Sequence, residues 1–200
     1  MTRSRPLLRR TLRRLLTGLS MALLASSASA QTGPLDGTRR LALHARDGTR
    51  VEIGSVRFEP VAGGAGDARR FTLSIDHAPF RDHFLSMREF KCLDGSGEIL
   101  CHVPYPYGRP DTVTPGDLAW LEHALMFMFK KPADFGAKLW NGVYWQLRVT
   151  PAGTLEGRPQ AIDLNRIGAP PARLDVPPYR PAQRDDMPEG ARWFVRLTLE

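Results

Sequence analysis

The chain has 200 residues, 42% of them apolar and 24% charged, with two cysteines and a formal net charge of +7. This balance suits one globular domain and excludes a low-complexity or collagen-like chain. A positive excess would suggest nucleic acid or an anionic membrane as partner, but here it is confined to the amino end.

Arg3, Arg5, Arg9, Arg10, Arg13 and Arg14 form a basic head, followed by an apolar run from Leu15 to Ala25 and the small residues Ala28, Ser29 and Ala30. This three-part order is that of a cleaved export signal over residues 1–30. Its apolar core is well short of the ~20 residues that span a bilayer. The pairs Arg9-Arg10 and Arg13-Arg14 admit a twin-arginine route, but the residues after each pair fit that consensus poorly, so the general secretory route is expected. Taking the six leader arginines from the 28 basic residues leaves 22 against 21 acidic ones, a net of +1. The domain at 31–200 is therefore expected to bind no nucleic acid, to carry no membrane span and to be periplasmic or secreted, in the manner of small exported proteins of Gram-negative bacteria.

Residues 31–37 read as a loose entry. Leu41, Leu43 and Ala45 alternate as a first strand, Asp47-Gly48 turns the chain, and Val51, Ile53, Val56 and Phe58 form a second strand. The alternation slips at Gly54, where a bulge is expected. Gly63 to Gly66 reads as a loop, and Phe71, Leu73 and Ile75 begin a third strand. Residues 80–90 suit either a short helix or a strand.

Phe90 to Leu93 and Ile99 to Val103 flank the turn-forming Asp94-Gly95-Ser96-Gly97 and read as a hairpin. It places Cys92 and Cys101 on its two arms, and an oxidising compartment favours a disulfide between them. A redox pair would want Cys-x-x-Cys spacing, which is absent. Three prolines between Pro104 and Pro110 make that stretch extended and polyproline-like.

A helix is predicted over residues 114–131. Thr114 would cap it, Pro115 fits its first position, and Leu118, Leu121, Leu125 and Met128 lie at helical spacing. Lys130-Lys131-Pro132 would end it. Ala124 to Phe129 is apolar on every side, which asks for an interior position or a partner. Strands follow at 143–149 and 154–164. Residues 165–190 hold six prolines and no sustained period, and so read as an irregular segment, ordered only if it packs. Trp193, Val195, Leu197 and Leu199 alternate as a terminal strand.

The fold class expected is mainly antiparallel β with one α-helix. A meander of about eight strands would close or nearly close into a barrel as a late strand pairs with the first. A two-layer sheet with the helix on one face is the alternative.

No nucleophile elbow, zinc-binding His-Glu-x-x-His or phosphate loop occurs in the sequence. The candidates for catalysis are Asp76, His77, Asp82 and His83, although neighbours on a strand face opposite ways and neither pair is an acid–base couple by position. His77, His83, Met87 and His102, with the cysteines if reduced, are ligand types suited to copper. Met87 falls where packing wants an apolar residue and the cysteines are expected to be bonded, so no metal and no cofactor is expected. Tyr105, Tyr107, Arg109 and Trp140 are the binding candidates, since Tyr and Trp offer an apolar face and a polar tip to a sugar or peptide. The competing reading makes the two tyrosines pins of their own loop. The function expected is a non-catalytic exported domain that binds a ligand or an envelope protein. The alternative is a cell-envelope hydrolase or transferase built on the Asp and His group.

Overall fold

The structure is a computed structural model that describes residues 33–63, 66–85 and 88–200. The leader at residues 1–30, Gly64, Ala65 and Met87 lie outside the described residues. Hairpins build most of the molecule. β1 (Gly37–Ala45) turns through Asp47-Gly48 into β2 (Arg50–Pro60), which pairs in turn with β3 (Arg69–Ile75). The register slips where Leu41 pairs with Gly54 and Ala42 with Glu52. Gly54 is required there: its φ is +142°, and a Cβ would lie 2.1 Å from the Ser74 carbonyl oxygen.

β4 (Arg81–Leu85) and β5 (Arg88–Gly95) form the next hairpin, so residues 80–90 are strand rather than helix. β5 and β6 (Glu98–His102) follow, with Cys92 opposite Cys101 and bonded to it. After β7 (Thr112–Val113) comes α1 (Ala119–Ala124), then β8 (Phe127–Lys130), β9 (Gly142–Val149) and β10 (Leu155–Ile162). β11 (Asp185–Asp186) adds to β10, and β12 (Phe194–Leu199) ends the chain.

The strands form a mostly antiparallel sheet with the order β4-β5-β6-β8-β9-β10-β12-β1-β2-β3-β7 and β11 beside β10. The terminal strand pairs with the first, Leu43 facing Leu197, yet the sheet is not closed and the expected barrel is not formed. Its ends are β4 and the two-residue β7. The prolines at 104, 106 and 110 lack backbone donors and keep the β7 edge from growing into a strand long enough to meet the far side. Among the described residues there are twelve strands against about eight expected, two of them, β7 and β11, only two residues long.

The helix over 114–131 is the second correction. Only Ala119–Ala124 is helical. Thr114 and Asp117 exchange backbone bonds, and the Thr114 hydroxyl accepts from the Asp117 N–H at 3.1 Å, so a closed turn replaces the expected cap. Beyond Leu125 the apolar run becomes β8, with Phe127, Met128 and their neighbours buried between β6 and β9. A short run that is apolar on all sides satisfies a strand covered on both faces as well as a helix interior.

The core joins Leu41, Leu43, Ile53, Phe127, Trp145 and Leu199 across the sheet. The proline-rich stretch 165–190 is irregular, apart from β11 and two short 3-10 turns, Leu164–Ile167 at its start and Pro181–Gln183, and it packs through Tyr179, which is buried. Among the described residues no helix is long and apolar enough to cross a membrane.

Candidate functional site

A strand-pairing defect creates the polar heart of the domain. β8 pairs with β9 only at Phe127–Val143 and Met128–Gly142, and α1 packs against β9. The Leu147 N–H is satisfied by the carboxylate of Glu122 from α1, Oε1 accepting at 2.7 Å. The other oxygen, Oε2, accepts from the Tyr144 hydroxyl at 2.6 Å and lies 3.7 Å from an Arg184 nitrogen. That guanidinium covers the Tyr144 ring at 4.4 Å. Burial raises the Glu122 pKa, against which the Tyr144 and Leu147 donors and Arg184 pull it down.

His123, fully buried beside Glu122, is spent in both directions. Its Nε2 accepts from the Tyr179 N–H at 3.2 Å, so the proton sits on Nδ1, which donates to the Ala119 carbonyl at 2.6 Å. Burial depresses its pKa to about 4 and keeps the ring neutral. A histidine with both nitrogens committed to backbone is a brace, and here it fixes Tyr179 in the proline-rich segment.

Tyr179 carries that order outward. Its hydroxyl donates to the Asp163 carbonyl at 2.8 Å, while the Tyr107 hydroxyl donates to the Ile167 carbonyl at 2.9 Å. The two tyrosines thus hold both ends of a 3-10 turn, Leu164–Ile167, which Asp163 caps by accepting from the Asn165 N–H. On the near side stands the Trp140 corner. Leu139 accepts from the Leu164 N–H at 2.7 Å, and Asn141 bonds Lys138 and Phe129 through its backbone. Gly142 permits this approach, because a Cβ there would lie 2.6 Å from Ile162 and 2.8 Å from Leu164.

Between the corner and the turn lies a cleft of about 520 Å³, within the size range of small-ligand sites. Trp140, Asp163, Arg166, Gln183 and Asp185 line it. Trp140 is 63% exposed although the backbones of its neighbours Leu139 and Asn141 are held by hydrogen bonds. Phe135, 97% exposed, and Leu139 stand on the same β8–β9 connection, and the Lys138 ammonium sits 5.6 Å from the Trp140 ring.

The binding candidates are divided by the structure into two groups. Tyr105 is 8% exposed and meets Tyr107, Trp120 and His123 ring to ring. Arg109 lies 4.8 Å over the Phe71 ring and donates to the Pro110 carbonyl. With His102 these two line a smaller cleft of about 380 Å³, distinct from the Trp140 cleft. Tyr107 serves the Trp140 cleft indirectly, through Ile167.

Asp76, His77, Asp82 and His83 occupy separate settings. Asp76 accepts from the Ala78 N–H within the β3–β4 turn, and His77 touches Phe80 edge-on. Asp82 pairs with Lys91, while His83 points to Asp94 at 3.6 Å. The alternation of β4 sends these two side chains apart. His102 donates from Nε2 to the Ala124 carbonyl, 3.2 Å away, and burial lowers its pKa. Cys92 and Cys101, being bonded to each other, offer no thiolate to a metal. Among the described residues no three His, Cys, Asp or Glu side chains gather as a metal site.

Sequence reasoning passed over Glu122, His123, Asp163, Arg166, Tyr179, Gln183 and Asp185. One signal was present: Glu122-His123 interrupts an apolar run, and a charged pair there needs partners. The partners come from β9 and from beyond residue 178, too distant to infer from spacing. No family model matches the chain, and no curated protein or solved structure matches it either.

Proposed function

We propose that this is a small exported domain, acting in the periplasm or beyond, that binds a ligand or an envelope partner without covalent chemistry. The carrying observation is Trp140, a tryptophan 63% exposed on a backbone corner that is fixed in place, at the rim of a polar cleft. An exposed indole forgoes the burial that usually stabilises it, and a rigid corner presents it at little ordering cost to a partner. The Arg-headed leader and the Cys92–Cys101 bond support export.

The test is retention of the purified protein on immobilised envelope extract. Trp140→Ala should abolish retention with unchanged thermal stability, whereas Phe84→Ala, at a distant residue that is 75% exposed, should leave it intact. Equal retention of wild type and Trp140→Ala would refute the assignment of the surface. Intact-mass measurement on the cell-derived protein tests export, with loss of residues 1–30 expected.

A further inference from the structure

Resting on the binding reading above, we infer that the Trp140 cleft takes a neutral, hydroxyl-rich saccharide. Arg166 and Asp185 line the cleft, and neither side chain makes a hydrogen bond or ion pair to the described residues. Gln183 spends its carbonyl oxygen on the Arg180 N–H, which leaves its amide nitrogen as a donor. Asp163 gives Oδ1 to Asn165 and keeps Oδ2.

The cleft therefore offers two carboxylate acceptors, one amide donor and one guanidinium donor beside a flat apolar ring. An anionic ligand would meet Asp163 and Asp185, and a cationic one would meet Arg166, so neither sign of charge suits the whole lining. A hydroxyl both donates and accepts. A ring bearing several hydroxyls can answer acids, amide and guanidinium together while laying its apolar C–H face on the indole. The Lys138 ammonium lies over the ring, 5.6 Å from its centroid, and the inferred ligand would take the opposite face.

The site is also held ready in advance. Tyr179 and Tyr107 pin the turn that carries Asp163 and Arg166, and the Leu164–Leu139 bond ties that turn to the Trp140 corner. Binding would then require side-chain ordering alone.

The experiment uses tryptophan fluorescence of the oxidised domain with iodide as quencher. Trp145 is fully buried, Trp120 nearly so and Trp193 half-buried, so quenching reports chiefly on Trp140. The probes are chitotriose, cellotriose and maltotriose as neutral saccharides, and trigalacturonate as an anionic one. Saturable protection of Trp140 by a neutral trisaccharide, with trigalacturonate ineffective, is the expected result. Asp185→Ala should weaken that binding about threefold and Trp140→Phe about tenfold, with calorimetry as readout and circular dichroism verifying the fold. Two results overturn the saccharide assignment: no protection by any neutral probe, or stronger protection by trigalacturonate. If envelope extract still protects Trp140 in that case, the binding reading stands without the sugar. If neither sugars nor extract protect it, both fail.

Discussion

Replacing Tyr144 by Phe removes one hydroxyl from the interior and should act mainly through Glu122. The hydroxyl is the closest donor to Oε2, at 2.6 Å; what remains is the Leu147 N–H on Oε1 and the Arg184 nitrogen at 3.7 Å. A hydrogen bond to a charged acceptor in such a place is worth about 1.5–3 kcal/mol. For a domain of this size, that lowers the melting temperature by roughly 4–10 °C. The loss should also depend on pH. Burial holds the Glu122 pKa above its unfolded value, and the Tyr144 bond opposes that rise. Folding therefore favours the protonated acid, and stability falls as pH rises from the unfolded pKa through the folded one. Tyr144→Phe raises the folded pKa further, so its penalty is greatest at neutral pH and shrinks once Glu122 is protonated. Urea unfolding of both proteins between pH 4 and pH 8, followed by circular dichroism, measures the difference. A penalty below about 0.5 kcal/mol at pH 7, or one constant across the range, would refute the role given to this bond.

Three further outcomes are expected. The imidazole of His123 should stay neutral down to about pH 4, and since the unfolded chain takes up that proton near 6.5, stability should decline as pH falls from about 6.5 to about 4; a nuclear magnetic resonance titration midpoint near 6.5 for this ring would contradict the burial. Converting both Cys92 and Cys101 to Ser opens a loop with a sequence separation of 9 and should cost about 2–3 kcal/mol by urea denaturation, so an unchanged midpoint would show that the hairpin closes without the bond. Gly54→Ala forces a Cβ onto the Ser74 carbonyl in a left-handed backbone and should destabilise by at least about 1–3 kcal/mol, read from the same curves; a neutral result would mean that the bulge can be abandoned.

Local signals carried much of the fold. Asp47-Gly48, Ser96-Gly97 and the slip at Gly54 each act over two to four residues, so their turns and bulge were readable from neighbours alone. The pairing of the Cys92 arm with the Cys101 arm, and of the first strand with the second, followed from them. The error at 114–131 arose where two local rules agree and tertiary pairing decides: Thr114 and Asp117 bond each other in a cap-like pattern, and Ala124 to Phe129 fits a helix or a doubly covered strand. The barrel failed for a longer-range reason, since closure depends on whether the ends β4 and β7 can meet, which no hairpin rule contains. Of the candidate site, Trp140 and Tyr107 were visible as residue types. Their connection was not, because it runs through the Ile167 carbonyl and through Leu139 and Leu164, backbone contacts that leave no mark on side-chain identity.

Labelling the tryptophan indoles with nitrogen-15 and adding a low-molecular-mass extract of the cell envelope tests the binding claim most directly. A saturable shift of the Trp140 indole resonance is expected, with the buried Trp120 and Trp145 unmoved. A Trp140 resonance that stays in place while the extract is retained by the protein, or shifts confined to the other indoles, would contradict it.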